Sequence, residues 1–159
     1  MNITVIGVGK IKEKYFKDSL AEYSKRLSRF CKLTIIEVED EEASQGISEA
    51  QAEIIKNREG ERILKKIPSN SFVFTLEIEG KKYDSVSFSK RINELAVGGT
   101  SSICFIIGGS LGLSDSVKAI SDNKLSFSDM TFPHQLMRVI LLEQVYRAFK
   151  IINNEPYHK

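Results

Sequence analysis

Short apolar runs rich in β-branched residues alternate with longer amphipathic segments along the whole chain. Each run has the length and composition of a buried strand, and the segments between runs carry apolar residues at helical spacing. Because a helical crossover returns the chain to the same edge of a sheet, this order predicts an α/β fold, with a mostly parallel, doubly wound sheet. The predicted strands cover residues 3–6, 33–38, 72–78, 103–107 and 123–127.

Capping and breaking residues set the expected bounds of five helices. Ser48 and Gln51 have the spacing of a capping box, and Asp84 or Ser85 can cap the third helix. Ser114 can cap the fourth, and Pro133 suits the first turn of the last. In chain order the helices are expected over about 11–30, 48–67, 84–98 and 114–120, and from 133 towards the carboxyl terminus.

The chain of 159 residues suits a single domain, 1–159, and contains no repeat or linker that would divide it.

The net charge of the chain is only +2, from 23 Lys and Arg against 21 Asp and Glu. This balance argues against nucleic-acid binding through bulk positive charge, so any contact with RNA is expected to be a local patch. One candidate patch, with a solvated helix face as its alternative, consists of Lys10, Lys12, Lys14, Lys17, Lys25, Arg26, Arg29 and Lys32.

Cys31 and Cys104 are the two cysteines, and neither lies in a CxxC or Cys/His pattern. We therefore expect two buried, reduced thiols, with no zinc site and no disulfide.

The first residues, MNITVIGVGKIKEK, lack the order of charges, apolar run and cleavage site of a signal peptide, and no apolar stretch is long enough to span a bilayer. The expectation is a cytoplasmic protein without membrane attachment.

Two glycine motifs bear on nucleotide binding. Gly7 and Gly9 follow the first strand, but Lys12 stands where the third glycine of a dinucleotide-binding GxGxxG would be, and no GxxxxGK[ST] occurs. In contrast, GGSLG at 108–112 directly follows the apolar strand at 103–107. Its glycines permit positive φ and close approach of the backbone to a ligand, although a plain tight turn is the alternative.

The segment LSFSDMTFPH at 125–134 joins the fifth strand to the last helix. A loop that ends in Pro133 at a helix start exposes backbone N–H and C=O groups suited to binding a base edge. The alternative is an ordinary helix entry.

The last helix is apolar on more than one side, which predicts a subunit interface. Within it Glu143 and Arg147 have i, i+4 spacing and are expected to pair, with a purely structural role as the alternative.

Three motifs near the carboxyl end are specific as a set: IIGGSLGLS, LSFSDMTFPHQLMRVILLEQVYRAF and NNEPYHK. With TVIGVGKIKEKYF at the start and VFTLEIEGKKYDS in the middle, they closely resemble the large-subunit rRNA methyltransferase H family of the SPOUT superfamily. The resemblance implies a carboxyl-terminal trefoil knot, an exception to the rule against threaded chains. It also implies a homodimer that methylates N3 of a pseudouridine in 23S rRNA of the assembled 70S ribosome, with S-adenosyl-L-methionine as cofactor and no metal.

Carried over by position, the resemblance also places a cofactor pocket. The segments concerned follow predicted strand ends, where open parallel sheets bind ligands. Glycine among them would give the cofactor close access to the backbone. The residues are Leu76, Gly108, Phe127, Ser128, Asp129, Met130, Thr131 and Phe132.

Methylation at N3 requires loss of the imide proton, which calls for a general base or for a cation that stabilises the developing anion. The candidates are His134, Arg147, Tyr157 and His158, and we predict Arg147, Tyr157 and His158 as the catalytic residues. For His134 we favour hydrogen bonds to the backbone at the helix start. For the tail that carries Tyr157 and His158 the alternative is fraying.

Two other classes of protein stay open at this point. A non-catalytic ribosome-binding factor would use the basic amino-terminal helix, and it would give no saturable heat when titrated with cofactor. A flavodoxin-like nucleotide binder accounts for the alternation but leaves FSDMTFPH unexplained. Because the net charge is small, we also expect the dimer to bind free RNA weakly and to recognise the assembled ribosomal surface.

Overall fold

The structure is a computed structural model that describes all 159 residues. Five strands form one sheet in the order β2-β1-β4-β3-β5, and every neighbouring pair is parallel, which confirms the predicted α/β architecture. In chain order the elements are β1 (Asn2–Val8), α1 (Lys14–Leu27), β2 (Lys32–Val38), α2 (Glu49–Leu64), β3 (Phe72–Lys82), α3 (Ser85–Val97), β4 (Ser102–Ile107), α4 (Asp115–Ala119), β5 (Asn123–Ser126) and α5 (His134–Ile152).

Helices cover both faces of the sheet because successive side chains of each strand point to opposite sides. On one face α1, α3 and α5 pack on residues such as Ile3, Val5 and Phe105 in the larger core. On the other face α2 and α4 pack on residues such as Ile6 and Ile106 in a smaller core. The central strand β4 is buried along its whole length, as its uninterrupted apolar sequence requires.

The predicted helix caps are confirmed. Ser48 and Gln51 form the capping box at the start of α2, and the Asp84 side chain accepts a hydrogen bond from the Ser87 N–H at 2.6 Å at the start of α3. Ser114 caps α4. Each cap satisfies a backbone N–H group that has no partner within its own helix.

Several predicted bounds were wrong by a few residues, mostly at helix ends. The first helix begins at Lys14, not near Ile11, because the Ile11 N–H donates instead to the Glu37 carboxylate at 2.6 Å. It ends at Leu27, after which Phe30 leaves the helix to stack on Phe149. The second helix stops at Leu64 rather than near Ile67, and β5 stops at Ser126 rather than Phe127.

The largest difference lies in β3, which was predicted to end at Ile78 but continues to Lys82. The strand contains a bulge, because both Leu76 and Lys81 pair with Leu125 of β5. A Cβ on Gly80 would lie 2.7 Å from backbone atoms of β5, so this close approach requires glycine. The local pattern did not predict the extension because it depends on pairing with β5.

Helix α5 lies between α1 and α3, against which it makes most of its helix contacts. The apolar stripe predicted for it is buried from Met137 to Ala148, and only Ile152 at its end is half-buried. The second apolar side is divided, since Phe149 is buried within the chain whereas Ile140 and Tyr146 stay half-buried. Much of the apolar surface that predicted a subunit contact is therefore covered by the chain itself.

A fully buried arginine fastens the start of α5 to the ends of β1 and β2. Arg138 is 1% exposed, and its Nη2 donates to the carbonyl oxygens of Val8 and Gly9, each at 2.7 Å. Its Nη1 donates to Glu37 Oε2 at 3.2 Å, while its Nε has no partner. The side chain occupies the space beside Gly7, where any Cβ would overlap the guanidinium. A buried cation is tolerated here because backbone and carboxylate oxygens surround most of its donors.

Both cysteines are free and buried, and burial raises the pKa of Cys31 to about 11 and that of Cys104 to about 12. No helix combines the length and the apolar character needed to cross a membrane.

The replacement Arg138→Met is expected to lower the free energy of unfolding by about 3 kcal/mol, because it removes the cation paired with Glu37 and the donor to two buried carbonyl groups. Urea denaturation measures the change. The matched control Arg58→Met removes an exposed arginine whose one ion pair is 4.0 Å long, and should shift stability by less than about 0.5 kcal/mol. Equal losses in the two variants would contradict the clamping role of Arg138.

Candidate active site

A cavity of about 380 Å³ opens at the carboxyl ends of β3, β4 and β5. This is the edge at which open parallel sheets bind ligands, and the volume lies in the range of small-molecule sites. Its wall is part apolar side chain and part glycine-rich backbone. The lining residues are Leu76, Glu77, Ile78, Ile107, Gly108, Gly109, Ser110, Leu111, Gly112, Leu113, Leu125, Phe127, Ser128, Met130, Thr131, Phe132, His134 and Met137.

The glycine turn after β4 forms one side of this cavity. Gly112 has φ of +87° and its N–H donates to the Gly109 carbonyl at 3.1 Å, which closes the turn. A Cβ on Gly108 would lie 3.0 Å from the backbone carbon of Gly112. The turn is therefore tight, as one interpretation of the GGSLG motif expected, and it also lines the cavity, while its approach to a ligand stays a prediction.

The loop between β5 and α5 forms the opposite wall. Ser128 organises it, since its carbonyl accepts from Ser126 Oγ at 3.3 Å and its Oγ accepts from the Met130 N–H at 3.0 Å. Met130 is 73% exposed, and Phe132 is also exposed at the rim. The loop thus carries large apolar side chains that are left without a full set of protein neighbours.

The structure brings seven of the eight residues predicted for cofactor binding to this cavity. The exception is Asp129, whose exposed carboxylate pairs with Lys82 at 2.6 Å and does not line the wall. Leu76 lies inside β3, immediately before the bulge, rather than at the end of the strand. The cofactor contacts of all eight residues stay predictions.

His134 also lines the cavity, which the sequence did not predict. It is the first residue of α5, but its side chain makes none of the backbone hydrogen bonds expected for it. Burial, followed by the nearby positive charge of Arg138, lowers its pKa. The imidazole is therefore neutral at neutral pH and faces the space where a ligand would bind.

The three predicted catalytic residues form a second group, which we name the tail cluster: Arg147, Tyr157 and His158 together with Glu143. Arg147 binds Glu143 Oε1 through Nε at 3.0 Å and Nη2 at 2.5 Å, which confirms the predicted pair. Tyr157 donates to the same oxygen at 3.2 Å, and His158 Nδ1 lies 3.3 Å from Arg147 Nη1. Because a guanidinium only donates, that last contact requires an unprotonated Nδ1.

The carboxyl-terminal tail is held against the protein rather than frayed. Glu155 binds Arg29 at 2.7 Å and Lys150 at 2.5 Å, and the Tyr157 ring packs edge-on against Tyr146 with 4.9 Å between centroids. The Arg147 guanidinium lies 4.7 Å from the centre of the Tyr157 ring. These contacts fix the position of the tail cluster.

Electrostatics in the tail cluster set the protonation of two of its members. Burial, reinforced by the negative charge of Glu143, raises the pKa of Tyr157 to about 12. The hydrogen bond that Arg147 donates to Glu143 raises the pKa of Arg147 as well. Near neutral pH the phenol therefore keeps its proton and the guanidinium keeps its charge.

Two residues that position the tail cluster were missed by sequence analysis. Gln144 donates to Glu143 Oε2 at 2.7 Å and accepts from Ser85 Oγ at 2.8 Å, which links the cluster to the start of α3. Glu143 was predicted only as an ion-pair partner, whereas it is the common acceptor for Arg147 and Tyr157. No local signal identifies Gln144, because Ser85 lies 59 residues away.

The tail cluster does not line the cavity of the same chain. His134 and Arg147 stand near opposite ends of α5, and their separation of 13 positions corresponds to roughly 20 Å along the axis. Within one copy of the chain the two halves of the predicted active site are therefore apart.

The basic amino-terminal cluster is partly neutralised. Lys14 pairs with Asp18 at 2.6 Å, Arg26 pairs with Glu22 at 2.9 Å, and Arg29 is engaged by Glu155. The remaining lysines of the cluster are exposed. No group of three or more His, Cys, Asp or Glu side chains is arranged to hold a metal ion.

The chain belongs to the SPOUT methyltransferase family, because the model of the family described as "Predicted SPOUT methyltransferase" matches residues 1–158. The fold of this family is knotted, which agrees with the carboxyl-terminal trefoil knot expected from the sequence. The enzyme class predicted from the sequence, a methyltransferase, is confirmed.

Curated relatives are similar over their full length. The "Ribosomal RNA large subunit methyltransferase H" of Clostridioides difficile is 58% identical, and that of Clostridium botulinum strain Eklund 17B is 57% identical, each over 159 residues and the whole of both chains. Among solved structures, a methylase family protein from Haemophilus influenzae gives a TM-score of 0.52 at 14% identity. A Legionella pneumophila protein described as a methyltransferase, solved with the bound cofactor SAM, gives 0.50 at 12% identity.

The alignments cover 96% and 94% of this chain, respectively, and 66% of each of those two solved chains. At this level of identity the likeness shows the fold alone.

The high pKa of Tyr157 can be measured by absorbance titration of tyrosinate. The difference between the wild type and Tyr157→Phe should titrate near pH 12 rather than near 10, since the folded protein favours the protonated phenol up to that pH. Glu143→Gln should lower this value, because it removes the carboxylate charge but not the burial. A difference curve centred near pH 10 in the wild type would contradict the burial and charge inferred for the tail.

Proposed function

We propose that this chain is a large-subunit rRNA methyltransferase that transfers a methyl group from S-adenosyl-L-methionine to N3 of a pseudouridine in 23S rRNA of the assembled 70S ribosome. The observation that carries the proposal is the cavity at the carboxyl ends of β3, β4 and β5. It collects seven residues that the sequence resemblance assigned to the cofactor from three distant parts of the chain. The full-length similarity to the rRNA methyltransferase H relatives supports the choice of substrate.

The cavity fits this cofactor in size and in chemistry. Its volume of about 380 Å³ accommodates a ligand of this class, and apolar side chains such as Leu76, Leu125 and Phe127 can sandwich a flat ring. Backbone groups of the Gly108 turn and the 127–132 loop can form hydrogen bonds with its polar edges. When bound, S-adenosyl-L-methionine supplies an electrophilic methyl group on a sulfonium.

The tail cluster contains groups that can assist loss of the proton from N3 of the methyl acceptor. Arg147 stays cationic beside Glu143 and can stabilise the negative charge that develops when N3 loses its proton. Tyr157 stays protonated, so it orients Glu143 and Arg147 instead of acting as the base. Of the three, His158 is then the proton acceptor, and its Nδ1 accepts the proton once the substrate displaces the contact with Arg147 Nη1. Holding donor and acceptor at attack distance accounts for most of the acceleration.

The separation of the two halves supports a homodimer with a composite site. A tail cluster roughly 20 Å along α5 from His134 can meet a cofactor cavity if it is the cavity of a second copy. The half-buried apolar residues left on α5, including Ile140 and Tyr146, are suited to the contact between copies. As an enzyme of the ribosome the protein acts in the cytoplasm, and neither DNA nor a membrane is a partner.

Methyl transfer to ribosomes tests the proposal. Ribosomes from cells that lack this protein should accept labelled methyl groups from S-adenosyl-L-methionine, and mass spectrometry should place the label on N3 of one pseudouridine in 23S rRNA. Free 23S rRNA should accept far less label, because the net charge of +2 provides little general affinity for RNA. Absence of transfer to any ribosomal particle, or label on a different base, would overturn the assignment.

Removal of residues 157–159 should abolish methyl transfer and leave cofactor binding nearly unchanged, because the tail does not line the cavity. Isothermal titration calorimetry measures binding, and turnover on ribosomes measures transfer. Turnover at the wild-type rate by the truncated chain would contradict the catalytic role of the tail.

The composite site is tested by mixing two inactive variants. Gly108→Val should distort the glycine turn that lines the cavity, because its Cβ would meet the Gly112 backbone, while it leaves the tail intact. The truncated chain keeps the cavity but lacks the tail. Dimers formed from both should regain part of the activity, since one of their two sites then has a normal cavity and a normal tail. No recovery in a mixture that forms mixed dimers would show that each copy works alone.

A further inference from the structure

A cationic groove lies beside α3, outside the site described above. Its volume is about 320 Å³, and its floor includes the ring of Tyr83, whose hydroxyl donates to Asn123 Oδ1 at 2.8 Å. Three cations stand in its wall against a single acid. The lining residues are Lys81, Tyr83, Ser87, Lys90, Arg91, Glu94 and Asn123.

The positive charge of this groove is largely uncompensated. Glu94 lies 3.5 Å from Arg91, while no carboxylate is within ion-pair distance of Lys81 or Lys90. Lys81 instead lies over the Tyr83 ring, with its Nζ 4.7 Å from the ring centre. The whole chain has a net charge of only +2, and several cations elsewhere form ion pairs with acids. A local excess of positive charge therefore distinguishes this groove.

The groove and the cofactor cavity are linked by residues that line more than one cavity. Tyr83 lines both the groove and a neighbouring cavity of about 340 Å³ between the start of α3 and α5. That neighbouring cavity in turn shares Leu125 and Phe127 with the cofactor cavity. The cations therefore lie one cavity away from the cofactor cavity, and Gln144, which donates to Glu143 of the tail cluster, lines the cavity between them.

We propose that the Lys81–Lys90–Arg91 groove binds the phosphate backbone of RNA that flanks the methylated base. Two lysines without acid partners, an arginine, an aromatic ring and the Asn123 amide in one concavity are the groups that bind a nucleic-acid backbone without selecting its sequence. The inference rests on the proposed function, which supplies an RNA substrate. It assigns RNA contact to the α3 side of the molecule instead of the basic amino-terminal cluster, where Arg26 and Arg29 are already engaged by Glu22 and Glu155.

The test compares charge removal in the groove with equal charge removal on α1. The groove variant is Lys81→Gln with Lys90→Gln, and the matched control is Lys17→Gln with Lys25→Gln, two exposed lysines of α1 that also lack acid partners. A third variant, Lys81→Arg with Lys90→Arg, keeps the charge. Cofactor binding by calorimetry verifies that each variant is folded.

Loss of two phosphate contacts should raise the KM for ribosomes by about tenfold or more and lower the slope of log K against log salt by about 1.4–1.8, with kcat unchanged. The arginine variant and the α1 control should stay close to the wild type. Unchanged KM and salt slope in the groove variant, or an equal loss in the α1 control, would overturn the inference.

Co-sedimentation with ribosomes gives the binding constants without turnover. If the wild type binds ribosomes and transfers no methyl group, the proposed function fails while the groove is still judged by the salt slopes. If the wild type methylates ribosomes and the groove variant binds them equally well, only the groove inference fails.

Discussion

The buried Arg138 guanidinium is the contact on which the site depends. It joins α5 to the carbonyl groups at the end of β1 and, through Glu37, to β2 and the Ile11 N–H. The 127–133 loop leads directly into this helix, so the position of the first turn of α5 fixes one wall of the cavity. A cation at the end of the sheet thus holds the cavity in shape without lining it.

Helix α5 carries both groups of predicted site residues, on turns that lie far apart along its axis. Its first turn brings His134 and Met137 to the cavity, whereas its later turns present Glu143 and Arg147 to the tail. Glu143 accepts hydrogen bonds from both Arg147 and Tyr157. Burial, reinforced by the Glu143 charge, raises the pKa of Tyr157, and the hydrogen bond to Glu143 raises the pKa of Arg147.

The sequence could predict those parts of the site that depend on short spacings. Gly108 and Phe127 were placed correctly at strand ends because each follows a strand visible in the sequence. The surroundings of His134 could not be predicted in this way, since the burial that lowers its pKa comes from packing with distant segments. Asp129 was grouped with the cavity by its position in the loop, but its carboxylate turns outward to Lys82.

By itself, the sequence determined the alternation of strands and helices, the caps at Ser48, Asp84 and Ser114, and the family, since each rests on local patterns or on motifs. Tertiary structure alone decided the strand order, the extension of β3 past Ile78 and the burial of Arg138. The physical reason is that these features are contacts between residues far apart in the chain. The energy of such a contact depends on which surfaces pack together, and the spacing of residues within a short segment does not determine this.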